Sequence, residues 1–565
     1  MARITGAQYL AEALDGYGVT HVFFVPMILA HSLAEMEKRT GIRRVMAHSE
    51  KAAVYMADGY ARASGRPGIC FAQTIGAANL AAGLRDPYLA STPLVAITGG
   101  PYPETRNRHT YQQIEDAPLF KPVTKYSARV DSVEYLPEAL RQAFRAATTG
   151  TPGPTHVELQ GHFGEVELQS ADLDITVESQ FGGLPPFRPA ADPASIAAAA
   201  DALAKADRPI IVVGGGARVS GAGPEVAELA EMLSIPVATS MNAKDLIPAS
   251  HPLSVGVVGL YSRKSANRAV SEADLVFYIG SRTGSQVTAK WQVPQPGTPV
   301  IQLDICPDEL GRHYPNLASL NGDAKTVLRQ LIEVADCPHA SRQDWLARVA
   351  DLAGEWRGEF GELMRSDQVP MRPERLCREL TDLMPPDTLL VAETGHSGMW
   401  TAGMVDLNHP GQGYIRAAGS LGWGVPAALG AKLALPDRPV LLFSGDGGFW
   451  YHMAEVETAA RLGINAVMLI NNNRSFNQTI EGYKTAYGGE LSGDHADLWQ
   501  FSDVDFTRIA ESMGARGIHV REPRELAGAL DQAFACDGPC VVEVLTDIDA
   551  LAPLAWTGEG EARVE

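Results

Sequence analysis

Residues 440–448 read VLLFSGDGG, and this stretch indicates the class of the fold. Its first five residues have the apolar character of a buried strand, and glycines on both sides of Asp446 follow at once. A helix-period segment comes next, and a second apolar run, Ala466–Ile470, leads into Asn471–Asn473. Strand, helix and strand in this order predict a right-handed βαβ unit of a parallel sheet.

The same alternation continues through most of the 565 residues and predicts an α/β protein. It is interrupted by the Gly- and Pro-rich Gly182–Pro189 and by a polar stretch before Pro370. We therefore expect three doubly wound parallel-sheet domains, at residues 1–182, 190–345 and 370–565. The chain length agrees with about three or four domains.

Composition narrows the class of partner. Lys and Arg number 47 against 67 for Asp and Glu, a net charge of −20. This argues against nucleic acid or an anionic membrane as partner, but leaves room for a local basic pocket that binds a phosphorylated ligand. The six cysteines lack the two-residue spacing of zinc or redox motifs, no apolar run reaches about 18 residues, and no signal region precedes Tyr9–Leu14. These features predict a cytoplasmic protein without membrane spans.

Polar residues follow both strands of the βαβ unit. Because parallel strands end at the same edge of a sheet, Asp446 and the asparagines should be neighbours. Carboxylate and amide oxygens suit Mg²⁺, and glycines before a helix expose N–H groups to a diphosphate. A simple turn and a loop are the alternative explanation.

Gly445, Asp446 and Gly447, with Asn473 twenty-seven residues after the aspartate, resemble a known cofactor motif. It is that of the thiamine-diphosphate-dependent superfamily of acetolactate synthase, benzoylformate decarboxylase, benzaldehyde lyase and 2-hydroxyacyl-CoA lyase. The resemblance covers essentially the whole chain and implies pyrimidine-binding, central and diphosphate-binding domains in that order. It also implies thiamine diphosphate and Mg²⁺ as cofactors, with Asp446, Asn473 and the Ser475 carbonyl as metal ligands.

Further segments match the superfamily in the expected order. Gly419 and Leu421 stand where its members accept a hydrogen bond from the aminopyrimidine amine and wedge an apolar side chain between the two cofactor rings. A Gly-rich helix start with a core leucine fits the same residues. His396 and His48 are candidates for proton transfer, His396 beside the cofactor, and structural histidines are an equal alternative.

Glu50 follows a short apolar strand, where the residues alone indicate a first-turn glutamate of a helix. By resemblance it hydrogen-bonds N1′ of the aminopyrimidine and shares a proton with it, and Gln112 is a hydrogen-bond donor near the reacting carbonyl. In the superfamily this glutamate and the metal ligands come from different chains. The resemblance therefore implies at least a homodimer, with a homotetramer expected by analogy.

The chain also departs from the acetolactate synthase pattern. Phe24 and Met27 stand near positions where relatives carry glycine, and should reshape one wall of the substrate pocket. Gln286 replaces an arginine that grips the carboxylate of the acceptor 2-oxo acid, and a neutral amide cannot form that bidentate bond. Gly482 falls where those enzymes have a tryptophan. The same changes make FAD doubtful and leave an ADP or CoA moiety as a possible ligand of the central domain.

We therefore predict a thiamine-diphosphate- and Mg²⁺-dependent carbon–carbon lyase or carboligase acting on a small molecule, a 2-hydroxyacyl-CoA or a 2-hydroxy ketone. An acetolactate synthase-like carboligase or a 2-oxo acid decarboxylase is the alternative. A non-catalytic cofactor-binding paralogue is disfavoured because Glu50 and Asp446 are both present. An NAD-dependent dehydrogenase using Gly214–Gly216 lacks the full Gly-x-Gly-x-x-Gly pattern and a ribose-binding acid.

Overall fold

The computed structural model describes residues 3–106, 108–335 and 342–558, together with the backbone of residues 561 and 562. Three six-stranded sheets form the architecture, and within each of them all strands run parallel. Hydrophobic cores lie on the two sides of each sheet. The predicted α/β class with three parallel sheets is confirmed.

The N-terminal sheet is built from residues 21–160. Two of its helices begin at side-chain caps: Thr5 and Gln8 form a capping box before the helix Gly6–Gly16, and the Ser49 hydroxyl accepts from Ala52 N before the helix Glu50–Ser64. The sheet order is β3-β2-β4-β5-β7-β6, and β1 pairs with β8 outside it. The elements are β1 (Arg3–Thr5), α1 (Gly6–Gly16), β2 (His21–Phe24), α2 (Ala30–Arg39), β3 (Arg43–Met46), α3 (Glu50–Ser64), β4 (Gly68–Ala72), α4 (Ala77–Ala90), β5 (Leu94–Gly100), α5 (Ala117–Phe120), β6 (Tyr126–Val130), α6 (Leu136–Thr148), β7 (Pro154–Gln160) and β8 (Ser170–Asp172).

The central sheet has the order β11-β10-β9-β12-β13-β14. Its middle strand β9 is apolar throughout and fully buried, as expected of a parallel strand covered on both faces. The elements are α7 (Pro193–Lys205), β9 (Pro209–Val213), α8 (Gly215–Ser220), α9 (Gly223–Leu233), β10 (Val237–Thr239), β11 (Ser254–Val257), α10 (Lys264–Glu272), β12 (Leu275–Ile279), β13 (Val300–Asp304), β14 (Asn316–Asn321), α11 (Ala324–Val334) and α12 (Gln343–Phe360).

The C-terminal sheet has the order β16-β15-β17-β18-β20-β19. The sequence predicts one helical segment after Asp446, and the structure has two helices there, α16 (Asp446–His452) and α17 (Glu455–Leu462). The elements are α13 (Pro373–Leu383), β15 (Leu389–Ala392), α14 (His396–Gly403), β16 (Gly413–Arg416), α15 (Gly424–Ala434), β17 (Val440–Gly445), α16 (Asp446–His452), α17 (Glu455–Leu462), β18 (Val467–Asn472), α18 (Ile480–Ala486), α19 (Phe506–Ser512), β19 (Arg516–Val520), α20 (Leu526–Phe534), β20 (Cys540–Leu545), β21 (Ala555–Trp556) and β22 (Glu561–Ala562).

Helices α3 and α15 join the N- and C-terminal sheets into one hydrophobic core. The two backbones approach so closely at Gly59 and Gly430 that side chains there have no room. A Cβ on Gly59 would lie 2.1 Å from the Ala427 carbonyl oxygen, and one on Gly430 would lie 1.9 Å from that of Met56. The crossing therefore requires glycine on both helices.

The limits proposed for the three domains stay a prediction, although each sheet lies within one of the predicted ranges. Helix α12 runs through residue 345, the predicted end of the central domain. None of the helices in the described part of the chain is both long and apolar enough to cross a membrane.

Candidate active site

Asp446, Asn473 and Ser475 meet at the carboxyl edge of the C-terminal sheet. Strands β17 and β18 pair in parallel, so the chain leaves both strands at neighbouring points. Ser475 N donates to Asp446 Oδ2 at 3.0 Å and to Asn473 Oδ1 at 3.1 Å, and Ser475 Oγ donates to the same amide oxygen at 3.0 Å. The structure thus brings together the three residues predicted to bind Mg²⁺.

Asp446 is a buried acid without a cationic partner. It is 2% exposed, and burial raises the pKa of its carboxyl group to about 7 against the opposing effect of backbone N–H groups. Among the described residues, no Lys, Arg or His forms an ion pair with it. Ser475 lies opposite Gln500 in an isolated antiparallel β-bridge. The two hydrogen bonds of this bridge run from Phe476 N to Trp499 O and from Phe501 N to Arg474 O, so they do not use the Ser475 carbonyl. The oxygens around Asp446 therefore fit a hard cation.

Two backbone features shape this edge. A Cβ on Gly447 would lie 2.2 Å from the Phe476 ring, so the helix start admits only glycine there. Arg474 has a φ of +57°, which turns the chain back between Asn473 and Ser475. Both features fix the course of the backbone around Asp446 and Asn473.

The asparagine run is anchored from below by a buried carboxylate. Asn472 Nδ2 donates to Glu543 Oε1 at 2.6 Å, and Asn472 Oδ1 accepts from Arg474 N at 3.0 Å. Glu543 lies on β20 and is fully buried. Asn472 therefore orients the turn that carries Asn473.

The His396 ring is held in one tautomer by Asn477. The Asn477 amide nitrogen donates to the carbonyls of Ile548 at 3.0 Å and Ala550 at 2.9 Å, so its oxygen is left to accept from His396 Nδ1 at 2.8 Å. Burial lowers the pKa of His396 to about 4. The imidazole is therefore neutral, with a bare Nε2 that can accept a hydrogen bond.

The loop before α15 carries the two residues predicted to hold the aminopyrimidine. Gly419 is exposed, with a φ of +142° that favours glycine, and Leu421 is half-buried. Below the loop, Glu393 accepts from Gly424 N at 2.7 Å and from Thr394 N at 3.0 Å. Burial raises the pKa of Glu393 to about 7.

Glu50 lies on the N-terminal side, at the first turn of α3. Its carboxylate is half-buried, accepts from Asn79 Nδ2 at 3.2 Å and packs on Gly76, where a Cβ would lie 2.5 Å from Oε1. No hydrogen bond or ion pair within the described residues joins Glu50 to Gly419 or Asp446. One chain therefore holds both groups without bringing them into contact.

Three more predicted residues, Gln112, Phe24 and Met27, belong to the N-terminal region. They lie apart from the edge of the C-terminal sheet that carries Asp446, Asn473 and Ser475, which we call the metal edge. Gln112 has a φ of +62° and follows Tyr111, which is 82% exposed. Phe24 belongs to the hydrophobic core of the N-terminal sheet, whereas Met27 is exposed. The exposed Met27 side chain is therefore available for contact with a substrate. The Phe24 side chain packs in the core, so it can change the shape of a pocket only through the backbone around it.

Gln286 lies in the wall of a cavity of about 720 Å³ between the central sheet and its neighbours. Leu184–Phe187, Gly214–Gly216 and Ala418 line the same cavity. Gln286 Nε2 lies 3.8 Å from the sulfur of Met241. Because Ala418 precedes Gly419, the cavity extends to the loop predicted to hold the aminopyrimidine.

Two arginines and two aspartates line this cavity. Arg416 bonds to Asn242 Oδ1, and Arg282 bonds to Ser91 Oγ. Neither arginine forms an ion pair in the described part of the chain, and Asp304 and Asp323 offset part of their positive charge. Each arginine is therefore suited to bind an anionic group, in a cavity that is not positively charged overall.

Comparison with protein families agrees with this geometry. The family model of the thiamine pyrophosphate enzyme N-terminal TPP-binding domain matches residues 4–119, that of the central domain matches 196–331, and that of the C-terminal TPP-binding domain matches 393–544. A probable acetolactate synthase large subunit of Methanocaldococcus jannaschii is 31% identical over 98% of this chain and 94% of its own length.

The chain belongs to the thiamine pyrophosphate enzyme family. Two further relatives are similar over at least 90% of their own length. Acetolactate synthase isozyme 2 large subunit of Escherichia coli is 28% identical over 99% of both chains. The acetolactate synthase large subunit of Corynebacterium glutamicum is 30% identical over the whole of this chain and 90% of its own.

In this thiamine pyrophosphate enzyme, sequence reasoning missed the residues that support the site. Glu393, Asn477 and Asp86 bond to groups beside the predicted ligands and were not singled out. Asp86 had one weak signal, an acid that follows the apolar Leu80–Leu84 stretch of α4 but stands next to Arg85. Asn477 had none, because its partners lie more than 70 residues away in sequence.

Proposed function

We propose that this protein is a thiamine-diphosphate- and Mg²⁺-dependent carboligase of the acetolactate synthase type, acting on a small 2-oxo acid. The observation that carries the proposal is the convergence of Asp446, Asn473 and Ser475 around an uncompensated buried carboxylate. Full-length similarity to proteins named acetolactate synthase supports the reaction class.

When bound, thiamine diphosphate supplies an electron sink next to a carbonyl carbon. The chain's own groups would bind and orient it. Asp446, Asn473 and the Ser475 carbonyl would hold Mg²⁺ against the diphosphate, and the Gly419 carbonyl would accept from the ring amine. Leu421 would fix the angle between the rings, and Glu50 would hold a proton at N1′.

A homodimer is part of this proposal. Glu50 needs to reach the ring whose diphosphate end lies at Asp446, and one chain does not join them. Glu50 follows β3, and the segments after β2, β4 and β5 at the same edge of this parallel sheet carry Met27, Ile75, Tyr111 and Ile114, each more than half exposed. Exposed apolar side chains at the sheet edge that carries an acid suit a surface covered by the diphosphate-binding region of a second copy. A tetramer would follow from pairing of two such dimers.

We propose that the large cavity binds a nucleotide moiety. Its volume suits a ligand of that size, Gly214–Gly216 admit close backbone approach, and Arg282 and Arg416 supply positive charge. An ADP or CoA group fits these features, and FAD is the alternative. Equilibrium dialysis of the full-length protein with ADP, CoA and FAD separates the three.

Gln286 favours a second candidate function, cleavage of a 2-hydroxyacyl-CoA or 2-hydroxy ketone. A 2-oxo acid acceptor would enter without a guanidinium to bind its carboxylate, which costs on the order of 2–5 kcal/mol where the group is buried. A substrate without that carboxylate avoids the cost. The cavity extending to Ala418 would accommodate the nucleotide part of a CoA ester.

One assay decides between the candidates. The full-length enzyme with thiamine diphosphate and Mg²⁺ is incubated with pyruvate, and acetolactate is measured. Parallel reactions contain a panel of 2-hydroxyacyl-CoA esters and 2-hydroxy ketones, and released aldehyde or ketone is measured. Acetolactate at an ordinary enzyme rate supports the carboligase; carbonyl release without acetolactate establishes the lyase instead.

Gln286→Arg refines the result. If the carboligase lacks only a grip on the acceptor carboxylate, the variant should raise kcat/KM for pyruvate as acceptor by about 10-fold or more. Gln286→Met, of similar volume and no charge, is the matched control. A lyase should show no such gain with arginine.

A further inference from the structure

A buried ion cluster lies between the N- and C-terminal regions, formed by Asp58 and Arg62 on α3 and Asp86 on α4. Both aspartates are fully buried, and the Arg62 side chain is 10% exposed. Arg62 binds Asp58 through two hydrogen bonds of 2.6 and 2.7 Å, and binds Asp86 Oδ1 at 2.9 Å. One guanidinium therefore neutralises two carboxylates only in part.

The second set of bonds made by Asp86 sets it apart. Its Oδ1 and Oδ2 accept from Ala418 N at 2.9 and 3.0 Å, and Oδ2 also accepts from Ser420 N at 3.0 Å. These are the N–H groups on the two sides of Gly419. An acid of the N-terminal region thus holds both peptide neighbours of the glycine in the C-terminal loop.

Gly419 needs such support because of its backbone conformation. Its φ of +142° lies where L residues are rarely found, yet a Cβ there would contact nothing within 4 Å. Space is therefore not the reason for glycine; the backbone conformation itself is. Hydrogen bonds to an ionised acceptor are stronger than neutral ones, which suits Asp86 to hold this conformation.

We propose that Asp86 is a positioning residue for the cofactor: by binding the N–H groups of Ala418 and Ser420, it points the Gly419 carbonyl at the aminopyrimidine amine. This inference rests on the proposed cofactor-binding role of Gly419. It assigns to Asp86 an effect on cofactor binding and activation, in addition to its contribution to stability.

Asp58 provides a matched control within the same cluster. It has the same burial and the same Arg62 partner, but its other bond runs from the Trp423 indole N–H at 2.7 Å and not from the peptides beside Gly419. Loss of a buried charge beside Arg62 is therefore common to both positions. Loss of the bonds to the peptide N–H groups on the two sides of Gly419 is specific to Asp86.

The experiment compares Asp86→Asn and Asp58→Asn in the full-length enzyme with Mg²⁺. Calorimetry gives the Kd for thiamine diphosphate, steady-state kinetics separates KM for the cofactor from kcat, and NMR in deuterated buffer follows C2 proton exchange. We expect both variants to melt at lower temperature. Asp86→Asn alone should raise the cofactor Kd and KM by about 10-fold or more and slow C2 exchange by a similar factor.

Equal cofactor affinity and equal exchange rates in the two variants would reduce Asp86 to a structural residue. If Asp86→Asn does not fold, Asp86→Ser removes the carboxylate without placing an amide N–H against the loop, and the same expectations apply. Failure of the wild-type enzyme to bind thiamine diphosphate would overturn the proposed function and this inference together. Wild-type binding with identical variants overturns the inference alone.

Discussion

At the carboxyl edge of the C-terminal sheet, Asp446, Asn473 and Ser475 bond to one another and are buried, whereas Glu50 on the N-terminal side bonds to Asn79 and is half-buried. Both regions follow a strand at the start of a helix. They differ in how much of their surroundings one chain supplies. The metal edge is enclosed by β17, β18 and the turn after them, while the sheet edge that carries Glu50 also carries the exposed Met27 and Tyr111.

The difference separates two tasks. A cation site gains from fixed oxygens, because a bound ion would offset the desolvation of Asp446, which backbone N–H groups oppose only in part. An acid that exchanges a proton with the aminopyrimidine ring works best when it is shielded from water while the ring is bound. We therefore expect the metal edge to work as a binding site in one chain, and Glu50 to act only when another surface covers it.

The most severe test of the enclosed region is Asp446→Ala. Mutating a residue that merely orients a metal ligand costs 10–100-fold in affinity, so loss of the ligand itself should weaken thiamine diphosphate binding by more than about 100-fold. Calorimetry with Mg²⁺ measures the affinity, circular dichroism checks that the fold is kept, and chelation of Mg²⁺ from the wild-type protein should mimic the variant. Unchanged affinity in Asp446→Ala would remove this residue from the metal site.

Glu50→Gln tests the open region. The amide keeps the size of the side chain but cannot hold an exchangeable acid proton at N1′, so cofactor affinity should stay within about 3-fold while catalysis falls by about 10²–10⁴-fold. C2 proton exchange followed by NMR isolates this step from substrate binding. Asn79→Ala, which removes the neighbour of the carboxylate and leaves the acid, serves as control. Exchange at the wild-type rate would make Glu50 an ordinary first-turn glutamate.

Mixing the two inactive variants sharpens the comparison. If each site combines Glu50 of one copy with Asp446 of another, a heterodimer of Glu50→Gln and Asp446→Ala contains one intact site of two. Random pairing of equal amounts makes half of the dimers mixed, so activity should recover to about a quarter of wild type. An enzyme whose site lies within one chain would stay inactive after mixing, refolding and prolonged incubation.

The smallest expected effect concerns the acid beneath the cofactor loop. Because burial raises the pKa of Glu393 to about 7 from 4.5, the folded state binds the extra proton between those values. Its contribution to stability is thus present below about pH 4.5 and lost as pH rises through 7, on the order of 1–3 kcal/mol. Relative to wild type, Glu393→Gln should gain a few degrees in Tm between pH 5 and pH 8. A pH-independent difference would show that Glu393 stays ionised.

Local pattern was sufficient for the strands and for the metal edge. Val440–Phe443 and Val467–Ile470 are apolar runs long enough for a buried strand, and a βαβ connection places their ends together whatever the rest of the chain does. The predicted Asp446 and Asn473 cluster followed from that rule. The break between α16 and α17 did not, because helix periodicity carries across a short interruption.

Support from distant segments could not be read in this way. Asp86 meets Ser420 across 334 residues, and Asn472 meets Glu543 across 71. The first pair depends on how a helix of one sheet packs against a loop of another, and the second depends on which strands become neighbours within a sheet. Hydrophobic period specifies neither. Phe24 shows the converse: its place in a motif suggested a pocket wall, while its position on β2 directs the side chain into the core.

The glycine contact between α3 and α15 has a consequence for synthesis of the chain. Gly430 leaves the ribosome 371 residues after Gly59, a delay of roughly 20–70 s at about 5–20 residues per second. During that interval the apolar face of α3, including Tyr55 and Met56, has no partner from the C-terminal region. One core of the central sheet contains only residues from 191 to 331 and can form first, whereas the core on its other side also includes Ala555. Nascent chains are therefore prone to associate incorrectly through α3 during this interval. Slower elongation makes the interval longer.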